Sequence, residues 1–476
     1  MPSISTPNRY GTETLSAEDQ ALLSEPLTLP FSGKVIKNRF CKAALSENLG
    51  RSDGQLDKSN LDRLVNVYNA WAEGGSGLIL TGNVMVDRTM REMEFNVAVE
   101  DERDIGRLKI WAQAVQKHGA AIYAQVSHPG RQSHGHLTKE PVAPSAIPIP
   151  NFHPLMTFNP PRAMTTKEVK DTVQAFVTTS VILHKAGFDG VELHAAHGYL
   201  ISQFLNPRTN ERTDEYGGSF ENRTRFISEI VQGIKAATPK EFSIGVKLNS
   251  VDFGRRRQGG ASGTEGTESQ FTNQVDQHLD EAVQVAVLLE QLGVDFIEVS
   301  GGSYESFATG LLDGKVPANE ATASAAVTER TKKREAHFAI FAERISKALT
   351  STKVILTGGF VSSTAMADAV KPTTTLTDST SQKPHIDMVG IGRAICTEPD
   401  LPNKIMSGTV TGAIRLPKTP GGFMDDVFIC GGNIRRMAFE KQPVWCVPRL
   451  LVSSEHVGYA MSFSKVAVHR LKHIFS

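Results

Sequence analysis

The chain has 476 residues, with 51 basic and 51 acidic side chains and a formal net charge of zero at pH 7. This length suits one large α/β barrel or two or three smaller domains, and the balanced charge gives no electrostatic reason to expect a nucleic-acid partner. The four cysteines lack the spacing of a disulfide, zinc or iron–sulfur framework, which favours a reducing compartment. Without a run of roughly 18 apolar residues, we expect no membrane association and a cytoplasmic protein.

From residue 38 onward, short apolar runs alternate with longer amphipathic runs. Parallel strands need a crossover connection between them, so this alternation favours a parallel sheet. The predicted strands are Phe40–Leu45, Leu78–Thr81, Ala121–Val126, Gly190–Leu193, Ser243–Leu248, Phe296–Val299, Val354–Thr357 and Asp387–Ile391. The pattern predicts an α/β fold, a (β/α)8 TIM barrel with long loops and a C-terminal extension, and a doubly wound open sheet is the second choice.

The barrel is expected to span residues 25–408, after a polar N-terminal segment (1–24) and before a C-terminal extension (409–476) whose packing the sequence leaves open. The clearest helical periodicity covers Thr166–Ala186 and Ser219–Ala237, with Ser219 as the N-cap of the second helix. Three segments interrupt the alternation. Residues 129–165 are predicted to form an active-site lid, and residues 254–275 and 371–385 to form flexible surface insertions.

The stretch after the fourth predicted strand carries three polar side chains within six residues, namely His194, His197 and Tyr199. An imidazole can polarise an oxygen and a phenol can donate a proton, so this is the first candidate for a reacting centre. Two histidines three residues apart are also common as ordinary core or capping residues. No metal site is expected, because zinc needs three or four ligands at defined spacing.

Glycine-rich turns follow the last two predicted strands, at Gly358 and Gly359 and at Gly392, with Arg393 beside the last glycine. Backbone N–H groups in such turns can surround a phosphate, although paired glycines also serve tight packing. No dinucleotide-binding glycine fingerprint follows any strand, so a mononucleotide such as FMN suits this pocket better.

The run from His194 to Phe226 resembles the signature of the Old Yellow Enzyme family of FMN-dependent ene-reductases, and the resemblance extends over roughly residues 25–408. It implies four further contacts with the flavin. Ser46 would lie at the N5/O4 edge, and Asn83 would contact the flavin through its backbone. Gln125 would bind the pyrimidine ring, and Lys247 would stand near N1 and O2, where relatives often carry arginine.

The family also implies a reaction, the reduction of an alkene conjugated to a carbonyl group, with NADH or NADPH as the transient hydride source. His194 and His197 would bind the carbonyl oxygen and Tyr199 would protonate the α-carbon. Tyr304 and Phe307 would line the substrate pocket or serve only in packing. Two alternatives stay open, a flavin-assisted isomerase or cyclase and a phosphate-binding barrel lyase without flavin. The sequence does not identify the alkene or the oligomeric state, for which a homo-oligomer is one option.

Overall fold

A computed structural model describes residues 7–149, 157–249, 268–301, 341–372, 386–416 and 423–440. Its centre is a ring of eight parallel strands, in which the first strand pairs with both the second and the eighth. The strands are β1 (Phe40–Lys42), β2 (Leu78–Met85), β3 (Ala121–Ser127), β4 (Gly190–Ala195), β5 (Ser243–Asn249), β6 (Phe296–Ser300), β7 (Lys353–Thr357) and β8 (Met388–Ile391). The closed ring confirms the TIM barrel and excludes the open doubly wound sheet, which has two free edges.

The observed strands overlap all eight predicted ones, with changes at their C-terminal ends. β1 stops at Lys42 rather than Leu45, because the following loop is tied to β2: the backbone N–H of Gly82 donates to Glu47 Oε1 at 2.8 Å. β2 continues past Thr81 to Met85 through a register shift after Leu80. Both changes lie at the end of the barrel where TIM-barrel active sites occur.

Helices cover the outside of the barrel. They are α1 (Lys58–Glu73), α2 (Ile105–Gln116), α3 (Thr166–Lys185), α4 (Phe220–Ala237), α5 (Glu268–Gln291), α6 (residues 341–348) and α7 (Ser363–Val370). Both helices with clear periodicity are confirmed, and the Ser219 side chain caps α4 by accepting from the backbone N–H of Asn222 at 3.3 Å. Gly187 and Gly293, with φ of 85° and 78°, close α3 and α5 in the left-handed conformation that favours glycine.

The N-terminal end of the barrel is closed by apolar side chains. A short antiparallel hairpin, Leu27–Thr28 with Val35–Ile36, packs beneath the strands. Above it, buried residues such as Leu80, Tyr123 and Phe296 fill the interior, and the last two rings meet edge to face with centroids 5.5 Å apart. Because inward-facing positions recur every second residue, the next inward positions toward the C-terminal end belong to a different, polar layer.

The three interrupting segments are only partly described. Within residues 129–165, Val142–Ala143 pairs in parallel with Arg162–Ala163, so part of the predicted lid is ordered structure. Most of the predicted insertion at 254–275 lies outside the described residues, but α5 begins at Glu268, so the prediction of a loop is wrong for 268–275. Residues 373–385 and both Tyr304 and Phe307 lie outside the described residues.

In the C-terminal extension, a helix over Phe423–Ala438 packs against α1. The remainder from residue 441 lies outside the described ranges. None of the helices in the described parts of the chain combines the length and apolarity that crossing a membrane requires.

Candidate functional site

His194, His197 and Tyr199 are brought together at the C-terminal end of β4. The strand ends at Ala195, and His197 and Gly198 then adopt left-handed backbone conformations with φ of 58° and 78°. The resulting turn places the rings of His197 and Tyr199 with their centroids 5.0 and 4.6 Å from the His194 ring. The three side chains therefore form one cluster, at the end of the barrel where TIM-barrel enzymes carry their reactive groups.

The ends of neighbouring strands hold this cluster in place. Asn249, the last residue of β5, accepts a hydrogen bond from the backbone N–H of His197 at 2.9 Å. Ser300, the last residue of β6, lies with its Oγ 3.0 Å from His197 Nε2. The backbone N–H of Ala196 donates to His194 Nδ1 at 3.3 Å. A neutral imidazole that accepts at Nδ1 carries its proton on Nε2, so His194 can offer an Nε2–H to another group.

Both histidines are held neutral. Burial lowers the pKa of His194 well below its ordinary value, and the nearby His197 and Lys247 lower it further. Burial, again with Lys247, lowers the pKa of His197 to about 3. Neutral imidazoles can still donate a hydrogen bond through N–H, so the cluster can bind an oxygen without carrying a positive charge of its own.

The buried histidines predict a pH dependence of stability. Burial also lowers the pKa of His128 and of His134 to about 4. The unfolded chain therefore binds more protons than the folded one below the ordinary histidine pKa of about 6.5, and stability falls as the pH drops toward 4. Each such histidine contributes up to about 1.4 kcal/mol per pH unit.

The variant H134Q can test this prediction, because the His134 ring packs against His136 and Phe158 and does not belong to the cluster of His194, His197 and Tyr199. In H134Q, the slope of unfolding free energy against pH below about 6.5 should decrease by roughly one proton. Urea unfolding of H134Q and the unaltered protein across this range measures the slope. Equal slopes would show that His134 does not carry the effect.

Four further side chains form a buried polar layer inside the barrel. This layer lies one inward-facing position closer to the C-terminal ends of the strands than the apolar residues that fill the interior. Gln125 Nε2 donates to Glu192 Oε2 at 2.6 Å, which joins β3 to β4. Lys247 Nζ contacts both carboxylate oxygens of Glu298, at 2.9 and 3.0 Å, which joins β5 to β6. The charge of Lys247 is thus compensated by Glu298, a residue that the sequence reasoning did not single out.

Ser46 and Asn83 lie after β1 and within β2, and a third residue connects them. Glu92, from the loop after β2, is 3% exposed, and its Oε2 accepts from Asn83 Nδ2 at 2.5 Å and from Ser46 Oγ at 3.2 Å. The single hydroxyl proton of Ser46 is therefore directed to Glu92. Glu92 is a second residue that the sequence reasoning missed, because nothing in its loop signals a partner so far along the chain.

The glycine-rich turns follow adjacent strands, since Thr357 at the end of β7 pairs with Gly390 in β8. Gly358 and Gly359 have φ of 123° and 83°, and a Cβ built on Gly358 would meet no atom within 4 Å. A Cβ on Gly392 would meet only Leu45 Cδ2, at 4.0 Å. Arg393, next in the chain, is exposed. These two neighbouring turns leave open space over bare backbone, as a phosphate site requires.

The site also fits the ring system of a flavin. Asn83 Oδ1 is buried and has no hydrogen-bond partner among the described residues, so it can accept from a bound group. Gln125 adds an amide and Lys247 a cation at the same end of the barrel. No cluster of three potential metal ligands occurs within the described residues. Fold and site together define the class as a TIM-barrel protein whose C-terminal mouth can hold an organic ring and its phosphate.

Comparison with known proteins gives the family. Residues 23–411 match the model of the NADH:flavin oxidoreductase / NADH oxidase family. An NADH-dependent flavin oxidoreductase from Aspergillus parasiticus is 34% identical over 407 residues, which cover 84% of this chain and 81% of the relative. This chain belongs to the NADH:flavin oxidoreductase / NADH oxidase family. It is a flavin oxidoreductase that uses FMN, which confirms the resemblance seen in the sequence and removes the flavin-free lyase.

Two solved structures share the fold. A 2-naphthoyl-CoA reductase complex superposes with a TM-score of 0.65 at 23% identity, covering 92% of this chain and 58% of that one. A morphinone reductase superposes with a TM-score of 0.59 at 23% identity, covering 84% of this chain and 92% of the other. The chain thus spans little more than half of the naphthoyl-CoA reductase chain. At this identity, both structures support the barrel alone.

Proposed function

We propose that this protein reduces activated alkenes, such as α,β-unsaturated carbonyl compounds, with NADH or NADPH as the hydride source. The observation that carries the proposal is the cluster of His194, His197 and Tyr199 at the barrel mouth, with rings 4.6 to 5.0 Å apart. Two neutral hydrogen-bond donors beside a phenol suit a substrate whose oxygen gains negative charge while a neighbouring carbon gains a proton.

In this proposal, FMN when bound supplies the hydride that reaches the β-carbon of the alkene. The Nε2–H of His194 donates to the carbonyl oxygen of the substrate, and His197 donates beside it, so that the negative charge developing on that oxygen is stabilised. The Tyr199 hydroxyl gives its proton to the α-carbon. A phenol with an ordinary pKa of about 10 stays protonated at neutral pH, which suits a proton donor.

The cofactor residues follow from the same arrangement. We assign Ser46, Asn83, Gln125 and Lys247 to the flavin ring, with Glu92 orienting the first two. The turns at Gly358, Gly359 and Gly392, together with Arg393, are assigned to the phosphate, because they follow adjacent strands and expose their backbone. The nicotinamide is expected to enter the same mouth as the substrate.

Three broader assignments complete the proposal. Residues 25–408 form the catalytic barrel, with 1–24 and 409–476 as terminal additions. The cytoplasm is the proposed compartment, since Cys41, Cys396 and Cys430 are buried thiols that suit reducing conditions. The partner is a small molecule, with neither nucleic acid nor membrane involved, and a homo-oligomer is the arrangement to test by sedimentation.

The purified protein should be yellow and should release FMN on denaturation. It should consume NADH or NADPH when given an activated alkene, and mass spectrometry should show a product heavier by two hydrogens. A yellow protein that rearranges or cyclises such compounds without net nicotinamide consumption would instead support the isomerase alternative. A protein that cannot be loaded with FMN would contradict both.

A further inference from the structure

The polar layer inside the barrel contains two carboxyl groups but one cation between them. Glu192 on β4 and Glu298 on β6 are both 0% exposed, and Lys247 lies on β5, the strand that pairs with both. Lys247 contacts both oxygens of Glu298, at 2.9 and 3.0 Å. If both carboxyl groups were ionised, this layer would hold one uncompensated negative charge away from water, which is strongly disfavoured.

The hydrogen bonds show which carboxyl holds a proton. Glu298 faces the ammonium group with both of its oxygens, as an ionised carboxylate does. Glu192 has a different environment, because its Oε2 accepts from the neutral amide of Gln125 at 2.6 Å. Its Oε1 is buried and receives no hydrogen bond from any donor within the described residues. An oxygen that lacks a donor is the position where the proton of a neutral carboxyl group can lie.

The directions of the pKa shifts of the two carboxyl groups agree with this assignment. Burial, followed by the charge of Glu298, raises the pKa of Glu192 well above its ordinary value. Although burial opposes it, Lys247 lowers the pKa of Glu298. Opposite shifts of this kind are expected when two carboxyl groups share one proton. The other titratable groups that face the layer include Cys41 from β1, His194 from β4 and His197 after it, whose pKa values are shifted by burial toward their neutral forms.

We infer that Glu192 is a positioning residue of the flavin site, a neutral carboxylic acid that orients Gln125 and keeps the layer beneath the cofactor free of net charge. Because Glu192 accepts at Oε2, the Nε2 of Gln125 is turned toward Glu192, and the amide oxygen of Gln125 is left for another donor. With Glu192 neutral, Lys247 and Glu298 cancel each other, so the layer does not repel an electron-rich ring. This inference rests on the proposed placement of the flavin above Gln125 and Lys247.

Infrared spectroscopy tests the protonation state directly. Burial also raises the pKa of Glu47, so the test compares spectra. At pH 7, protein carrying isotopically labelled glutamate should show carbonyl absorption of protonated carboxyl groups, and the difference spectrum between the unaltered protein and E192Q should show the loss of one such band. The measurement is made on the full chain with and without FMN, so it does not depend on flavin binding. If the unaltered protein lacks this absorption, or if the difference spectrum shows no loss, the inference is overturned.

The flavin reduction potential tests the electrostatic role. Glutamine is close in shape to a neutral glutamic acid, so E192Q should bind FMN within about twofold of the unaltered protein and keep the same potential. A positive shift of the potential in E192Q would show that the substitution removes a negative charge, and therefore that Glu192 is ionised.

E192L tests the positioning role, since leucine removes the acceptor that orients Gln125. FMN affinity, measured by fluorescence quenching, should fall by about tenfold, which corresponds to about 1.4 kcal/mol. Undiminished affinity in E192L would contradict the positioning role. If no form of the protein binds FMN, the proposed function fails, whereas the infrared result on the protein without FMN still decides the state of Glu192.

Discussion

Replacing Tyr199 by phenylalanine is expected to slow alkene reduction by about a hundredfold to ten-thousandfold, the range that a positioned general acid contributes. The substitution removes one oxygen and leaves the ring that packs 4.6 Å from His194. Reduction of the bound flavin by NADH or NADPH should proceed at an unchanged rate, because that step needs no proton from Tyr199. Stopped-flow absorbance, with each half-reaction followed separately, distinguishes the two effects.

Tyr216 provides a matched control. It belongs to the same loop region, but its hydroxyl donates to Glu229 at 2.8 Å, and its ring is buried against Phe204. The same substitution at Tyr216 should leave both half-reactions within about twofold while lowering stability by about 1 kcal/mol. Alkene reduction at an undiminished rate in Y199F would remove Tyr199 as the proton donor and leave water or another residue in that role.

The second large effect is expected for Lys247→Met. This change leaves the carboxylate of Glu298 buried without its cation, and breaking a buried ion pair from one side costs about 3–5 kcal/mol. The loss should be largest at neutral pH and should shrink as the pH falls toward the ordinary glutamate pKa of about 4.3, because protonation removes the unpaired charge. Urea unfolding of the protein without FMN, at several pH values, measures both the size and the trend.

The double variant K247M/E298Q is the control for that measurement. It removes both charges, so it should recover most of the stability that K247M loses, since neutral side chains of similar volume often replace a buried ion pair at little cost. If the double variant is no more stable than K247M, the stability lost in K247M comes from packing rather than from charge. A loss in K247M that stays constant with pH would show that Glu298 does not hold an unpaired charge.

The helices and strands could be predicted from the sequence because the patterns that specify them are local. A buried parallel strand is a short apolar run, and α4 begins where a serine precedes the amphipathic pattern. The cluster at the end of β4 could also be predicted from the sequence, since His194, His197 and Tyr199 lie within six residues and one turn brings them together. The C-terminal end of β1 could not be predicted, because it depends on the hydrogen bond between Glu47 and Gly82, which lie 35 residues apart.

The sequence by itself determined the order of strands and helices and the clustering of His194, His197 and Tyr199, since these depend on neighbours within one or two turns. The tertiary structure alone decided three side-chain partnerships: Lys247 with Glu298, Gln125 with Glu192, and Ser46 with Glu92. These pairs join side chains 46 to 67 residues apart. The register between strands brings the first two pairs together, whereas the loops after β1 and β2 bring Ser46 to Glu92. Closure of a barrel requires the stagger of all its strands to match, so the first two pairs depend on the whole barrel rather than on neighbours along the chain.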